Sequence, residues 1–266
     1  MAGLISVCVG GACGRMGRRI LELAAVADDF GIGGAFDLPA YDGQAIALGQ
    51  GGQTVTVSSD AGAAIAKSDV LMDFTVADAC VEHVRAATDA GKPAVVGTTG
   101  LSDTQQGELA AMAREVAIVF APNMSVGVNL LFKLTGDVAR ILGLDYNVEI
   151  VEVHHNLKKD SPSGTAIRLA ERAAAALGLD CGSQVIYGRA GMVGERPRNE
   201  IGVHAVRGGD VVGEHTVSFI GHGERIELTH RAHSRDNFAR GALVAARFVV
   251  SAARGLYDMQ DVLGLR

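Results

Sequence analysis

Short β-branched runs alternate with Ala-rich stretches of helical periodicity through the first half of the chain. ISVCV from Ile5, GIGGAF from Gly31, TVTVSS from Thr54, VLMDFT from Val70, KPAVVGT from Lys92 and AIVFA from Ala117 read as strands. Between them RMGRRILELAAVA, DACVEHVRAATDA and SDTQQGELAAMAREV place apolar residues at the three-to-four spacing of a buried helix face. Near-continuous apolar strands separated by helices predict a parallel sheet covered on both sides, an α/β arrangement. The pattern changes close to Asn123. VGVNLLFKLTGDVARILG reads as a long helix, NVEIVEVHHN as a strand and SGTAIRLAERAAAALG as a second helix. SQVIYG, NEIGVHAVR, VVGEHTVSFI and ERIELTHRA then follow as strands with no helix between them. Those last strands alternate polar and apolar residues, which predicts a mixed or antiparallel sheet open on one side. The final stretch, RDNFARGALVAARFVVSAARGLYDM, reads as helix. The expected division is residues 1–124, 125–234 and a carboxy-terminal helical segment 235–266.

Composition narrows the class. The chain has 266 residues, 48% hydrophobic, with 35 glycines and no tryptophan, which suits an α/β protein rich in tight turns and large enough for a sizeable core. A net charge of −6 argues against nucleic acid or an acidic membrane as partner, so any anionic ligand must be held by a local cluster. No apolar run reaches a membrane span and no secretory leader is visible at the amino terminus. Cys8, Cys13, Cys80 and Cys181 show neither CxxC nor framework spacing, which fits a reduced, cytoplasmic protein without structural zinc.

Candidate chemistry begins in VCVGGACGRMGRRI, where Gly10, Gly11, Gly14 and Gly17 lie between the first strand and the first helix. A side-chain-free turn there lets backbone N–H groups and the helix dipole approach a pyrophosphate. Glycine loops also make plain turns, and from Gly11 the spacing departs from GxGxxG, with Cys13 at the second-glycine position. A helix amino terminus can activate a thiol, but the simpler reading of Cys13 is a small residue in place of glycine. Asp37, ending the second strand run, stands where an acidic side chain accepts from the adenine ribose. Its neighbours Leu38 and Pro39 offer no cation for a 2′-phosphate, so NADH is favoured over NADPH. GTTG from Gly97 and APNMS from Ala121 also follow strands, where parallel sheets bind ligands.

The segment HHNLKKDSPSGTA, from His154, gathers two histidines, two lysines and a helix-start signal. In an extended strand His154 and His155 point to opposite faces, a poor bidentate metal site. Proton transfer suits the set better, since imidazole titrates near neutrality and a desolvated lysine can be lowered toward it. Ser161 or Ser163 can cap the following helix, and the N–H groups near Gly164 and Thr165 would face an anion. Together these suit a small carboxylate substrate; a solvated charge pair beside an ordinary cap is the plainer alternative.

GACGRMG, DFT from Asp73, GTTG, APNMSVGVN, VEVHHNLKKDSPSGTA, GDVVGEHTV and GERIELTHRAHSR occur in this order along nearly the whole chain. The set resembles the 4-hydroxy-tetrahydrodipicolinate (dihydrodipicolinate) reductases of lysine and diaminopimelate biosynthesis. The resemblance implies an α/β fold with a Rossmann-type parallel-sheet, dinucleotide-binding domain, a second α+β domain with a mixed open sheet that builds a homotetramer, and a carboxy-terminal helix returning to the first domain. By position in the motif, His154 is implied as proton donor and acceptor and Lys158 as proton donor. His155, Lys158, Gly164 and Thr165 are implied as contacts of a small dicarboxylate. Gly11, Ala12, Cys13, Gly14, Arg15, Met16, Asp37, Gly97, Thr98, Thr99, Ala121, Pro122, Asn123 and Met124 fall on the NADH- or NADPH-binding segments, and no metal is implied. Leu38 departs from an arginine that many members carry, and Asp37 from a common glutamate. A dinucleotide-binding sensor would share the glycine loop but gives no reason for His154 and Lys158 beside an anion-ready helix start. Another carboxylate dehydrogenase would share the first domain without the HHxxKxDxPSGTA string.

Overall fold

The computed structural model describes residues 3–49 and 52–266. The chain packs as two compact units, Met1–Val126 together with Asp236–Arg266, and Gly127–Arg235.

The first unit runs β1 (Ile5–Gly10), α1 (Arg15–Ala25), β2 (Phe30–Phe36), β3 (Ala45–Ala47), β4 (Thr54–Thr56), α2 (Ala61–Ala66), β5 (Val70–Asp73), α3 (Ala77–Asp89), β6 (Ala94–Val96), α4 (Asp103–Met112) and β7 (Ala117–Phe120). Six strands form one parallel sheet in the order β13-β7-β6-β5-β1-β2, its last member, β13 (Gly255–Tyr257), coming from the carboxy-terminal segment. Alternation along the strands sorts side chains into two apolar layers. Val7 and Val9 enter one with Ile20, Leu21, Val95 and Leu243, while Cys8 enters the other with Leu71, Val84, Leu109 and Ile118. The strand order reverses at β1, whose neighbours are β2 on one side and β5 on the other. The carboxyl ends of β1 and β5 therefore border the crevice where parallel sheets of this kind bind ligands.

Two sequence expectations need correction. TVTVSS adds no strand to the parallel sheet and meets it through an isolated parallel bridge from Ser58 to Phe36 of β2; only Thr54–Thr56 is strand, paired antiparallel with Ala45–Ala47 in a separate hairpin. Its Thr54 and Thr56 are exposed, and a strand so placed lacks the two-sided burial that Val70–Asp73 shows. The carboxy-terminal stretch is not helix throughout. The helix α8 (Asp236–Val249) ends before Gly255–Tyr257, which adds the edge strand beside β7, and α9 (Met259–Val262) follows.

The second unit contains α5 (Val126–Leu142), which enters it at Gly127, then β8 (Asn147–His154), α6 (Gly164–Leu177), α7 (Cys181–Gln184), β9 (Val185–Tyr187), β10 (Ile201–Arg207), β11 (Gly213–Ile220) and β12 (Arg225–Ala232). Its five strands lie in the order β12-β11-β8-β10-β9, with β8, β9 and β10 parallel and β11 antiparallel to both its neighbours. Val148, Ile150, Val203, Val217 and Phe219 point to one face, where they pack with Leu131 and Phe132 of α5 and Leu169 and Ala173 of α6. The opposite face carries Glu149, which meets Arg189 at 2.8 Å, Arg196 at 2.8 Å and His204 at 2.8 Å. No described helix is long and apolar enough to cross a membrane.

Candidate active site

The glycine turn after β1 has the geometry a phosphate cradle needs. Gly11 takes φ +73, and a Cβ there would lie 2.6 Å from the Phe74 carbonyl oxygen. A Cβ at Gly17 would lie 2.1 Å from the Gly11 carbonyl oxygen, so α1 can seat against the turn only because that position is bare. Gly14 precedes α1 without a side-chain cap, which leaves the N–H groups of the first helical turn unclaimed by any side chain. The residues present thus fit a dinucleotide pyrophosphate. Ala12 is buried and Met16 packs against the core, so both offer backbone, while Arg15 is exposed at the turn.

Asp37 follows β2 and ties it to the turn: its Oδ2 accepts from Cys13 N–H at 2.7 Å and its Oδ1 from Leu38 N–H at 2.8 Å. A carboxylate offers about four lone-pair directions, so both oxygens retain capacity for a ribose hydroxyl. Leu38 is exposed beside it. Arg18 Nε donates to the Cys13 carbonyl at 3.1 Å, on the other side of the turn. Burial, then the Asp37 carboxylate, pushes the Cys13 thiol up, so this helix amino terminus does not activate it.

Behind the crevice sits Asp73, fully buried. Its Oδ1 accepts from Thr98 Oγ1 at 2.6 Å and Thr75 Oγ1 at 2.8 Å, and its Oδ2 meets His83 Nδ1 at 2.8 Å. Burial alone would raise this carboxyl; the bonds from His83, Thr98 and Thr75 outweigh it and hold the group below the usual carboxylate range. The network joins the loops after β5 and β6, because Thr75 N–H also donates to Thr98 Oγ1 at 2.9 Å. Thr98 therefore turns its side chain inward and Thr99 is exposed, while Gly97 N–H is spent on the Asp73 carbonyl at 2.9 Å. In the loop after β7, Ala121 and Met124 belong to the core, Pro122 is exposed, and Asn123 Oδ1 accepts from Ser125 N–H at 3.0 Å.

The second unit builds a separate cluster where β8 ends. Glu152 and His154, two residues apart, share the face toward α6, and Glu152 has no exposed surface. Glu152 Oε2 meets His154 Nδ1 at 2.6 Å and accepts from Arg207 Nη1 at 2.8 Å. Its Oε1 accepts from Arg207 Nη2 at 2.8 Å and from Ser163 N–H at 2.9 Å. Burial raises the carboxyl, but Arg207, His154 and the Ser163 N–H together hold it below the usual range. For His154, burial lowers the pKa and Glu152 opposes it; Lys158 and Arg207 add to the lowering, and the net is a ring neutral near pH 7.

Ser163 is the cap of α6: its Oγ accepts from Ala166 N–H at 3.2 Å and meets His215 Nε2 at 3.0 Å. Gly164 and Thr165 are the first two helical residues. Burial first, then the charge of His154, presses His215 down to about 3, so it too is neutral. Its ring stacks edge-on to His154 with centroids 5.2 Å apart. Lys158 reaches Asp160 at 2.8 Å, a mostly exposed carboxylate that an incoming anion can replace at little cost. Lys159 is exposed. His155 begins the loop after β8, its N–H donating to Val211 O at 2.8 Å and its carbonyl accepting from Lys158 N–H at 3.2 Å. The segment from His154 to Thr165 thus brings together His154, Lys158 and the start of α6. Sequence reasoning did not single out Glu152, Arg207 and His215, which sit around them. The only signal for Glu152 was its spacing of two from a candidate histidine on one strand.

Comparison with known proteins covers nearly the full chain. Residues 5–124 match the family described as dihydrodipicolinate reductase, N-terminus, and residues 127–263 the one described as dihydrodipicolinate reductase, C-terminus. A 4-hydroxy-tetrahydrodipicolinate reductase of Citrifermentans bemidjiense is 50% identical over 267 residues, covering 99% of this chain and 100% of the relative. One from Anaeromyxobacter sp. is 50% identical over 265 residues, covering 99% of each. Among solved structures, dipicolinate-bound dihydrodipicolinate reductase from Paenisporosarcina sp. TG-14 superposes with a TM-score of 0.77 at 23% identity, over 97% of this chain and 98% of that one, which establishes the common fold.

Proposed function

The chain belongs to the dihydrodipicolinate reductase family, and from that premise we propose that it reduces 4-hydroxy-tetrahydrodipicolinate to tetrahydrodipicolinate with NADH or NADPH, in lysine and diaminopimelate biosynthesis. The observation that carries the reading for this chain is the cluster at the end of β8. His154 is neutral and has Nδ1 committed to a buried carboxylate, with Lys158 and the capped start of α6 beside it.

The residues divide the work. The Gly11–Met16 turn and the start of α1 hold a pyrophosphate, Asp37 a ribose, and the loops at Gly97–Thr99 and Ala121–Met124 the nicotinamide end, Ala121 and Met124 through backbone. A nucleotide held there would supply a hydride, and the conjugated imine that the substrate forms by losing water would accept it. Lys158, His155 and the N–H groups at Gly164 and Thr165 hold the two carboxylates, so that the dianion sits against fixed donors rather than water. Lys158 supplies the proton that completes the reduction, and His154, whose neutral ring offers a lone pair at Nε2, takes up a proton there before passing it on. NADH is favoured, because Leu38 puts no cation beside Asp37 where a 2′-phosphate would lie. A homotetramer would use the uncovered face of the second unit's sheet, where Val151, Val206 and Ile220 are exposed. A reducing, cytoplasmic setting suits four unpaired thiols.

The test is turnover of freshly generated substrate followed by nicotinamide absorbance, on the parent and Lys158→Ala. The variant should lose at least ~100-fold in kcat while binding NADH with unchanged Kd, as loss of a positioned charge predicts. Near-normal turnover by the variant, or none by the parent, would overturn the reading.

A further inference from the structure

We propose that Glu152 is the positioning residue of this site: one buried carboxylate, gripped at both oxygens by Arg207, sets the tautomer of His154 and anchors the start of α6. The proposal rests on the role given to His154 above and adds what makes that role work.

Four hydrogen bonds converge on Glu152. Oε2 takes His154 Nδ1 at 2.6 Å and Arg207 Nη1 at 2.8 Å, and Oε1 takes Arg207 Nη2 at 2.8 Å and Ser163 N–H at 2.9 Å. An ionised carboxylate has only acceptors, so a neutral His154 must carry its proton on Nδ1 and present the Nε2 lone pair. Without that acceptor the proton is free to move to Nε2, where the ring can neither take nor return a proton at its working nitrogen. The second oxygen fixes Ser163 N–H, the residue whose hydroxyl caps α6. The ring and the anion-facing helix start are thereby referred to one rigid point, and their separation cannot drift independently.

Burial, Lys158 and Arg207 together let a carboxylate orient the ring without making it an imidazolium. An unpaired Glu152 would favour the charged ring; burial opposes this first, then Lys158, and the bidentate guanidinium on the same two oxygens adds to the opposition. Register places Arg207 there, since β10 runs parallel to β8 with Arg207 opposite His154. Other groups facing the ring are Lys158 from the loop after β8, itself paired with Asp160, and the neutral His215 from β11. Arg207 also donates to the Asp160 carbonyl at 2.8 Å, which closes the ring of contacts around Lys158.

Imidazole nitrogen NMR on the free, full-length protein reads the tautomer without substrate. The parent should show His154 protonated at Nδ1 above its pKa. Glu152→Gln tests the carboxylate alone but leaves Arg207 buried without its charge partner and can fail to fold. The double substitution Glu152→Leu with Arg207→Met leaves no unpaired buried charge. It should fold and show His154 protonated mainly at Nε2, with kcat down at least ~10-fold and the Kd for NADH unchanged. Arg207→Met alone should raise the His154 pKa and move the acid limb of kcat/KM to higher pH, which a merely structural role for the arginine would not do. An Nε2-protonated parent ring, or an Nδ1-protonated ring in the double variant, would overturn the proposal. These readouts need no turnover. If they hold while His154→Ala keeps normal kcat, the proton-transfer role of His154 fails and the positioning geometry stands.

Discussion

Gly213 sets the space in which the His154 ring turns. A Cβ at that position would lie 2.9 Å from His154 Nε2 and 3.3 Å from its Cδ2, and the ring cannot retreat because Glu152 holds the opposite nitrogen. Gly213→Ala should therefore displace the working nitrogen rather than unfold the unit. A shift of about 1 Å can cost on the order of 100-fold in rate, so kcat should fall by at least ~10-fold with the Kd for NADH intact; steady-state kinetics with a binding titration checks both. His154 and Lys158 stood out in the sequence because two histidines and two lysines crowd one segment of a lysine-poor chain and a helix-start signal follows. Glu152 did not, since a glutamate in a half-polar strand looks like a solvent-facing residue until the strand's faces are assigned. Arg207 was less legible still: it lies 55 residues beyond Glu152, and only the register of β10 on β8 brings them together.

At the scale of elements, the first turn of α6 serves stability and, in the proposed function, binding as well. Ser163 caps the helix with its hydroxyl, braces His215, and gives its N–H to Glu152. Ser163→Ala keeps the N–H and removes the hydroxyl, so it should cost about 1 kcal/mol of stability, as loss of a helix cap does. It should also raise the KM for substrate several-fold while leaving the KM for NADH unchanged, because the loosened turn carries Gly164 and Thr165. Equal changes in both KM values would disconnect this helix start from the substrate. The elements themselves were legible wherever periodicity ran long: the α1, α3, α5 and α6 segments show helical spacing over three or more turns. Short pieces were not. Gly255–Tyr257 is three residues of edge strand within a sequence rich in alanine and arginine, and only pairing with β7 makes it a strand. Ala61–Ala66 is a six-residue helix begun by an Asp60 cap, too short to show a period. The same logic sets the expectation for cofactor choice at the end of β2. Leu38→Arg would place a guanidinium beside Asp37 and should improve kcat/KM for NADPH by at least ~10-fold relative to NADH; an unchanged ratio would remove Leu38 from the preference.

For the whole molecule, acid stability follows from how the second unit buries its titratable groups. His215 is pressed to about 3 from an ordinary 6.5, by burial and then by the charge of His154. The unfolded chain therefore binds a proton that the folded one refuses between those values, and stability must fall as pH drops through that window. Glu149 adds a second, lower limb. Burial would raise it, but Arg189, Arg196 and His204 hold it at about 2 against an ordinary 4.5. A carboxylate so depressed stabilises the fold fully above its unfolded value and loses that contribution as pH falls toward 2, a change on the order of 3 kcal/mol. Both limbs have the same sign, so urea midpoints measured by circular dichroism should decline continuously from about pH 6.5 downward. His215→Gln, which keeps a polar group near Ser163, should flatten the upper limb and leave the lower one. Glu149→Gln removes the carboxylate shared by Arg189, Arg196 and His204, leaving Arg189 to Glu200 and Arg196 to backbone carbonyls; it should lower stability at pH 7 and flatten the lower limb. A His215→Gln protein with the parent's decline between pH 6.5 and 4.5 would show that its burial does not set the acid response, and that the histidine pair beside the start of α6 forms at no cost in protons.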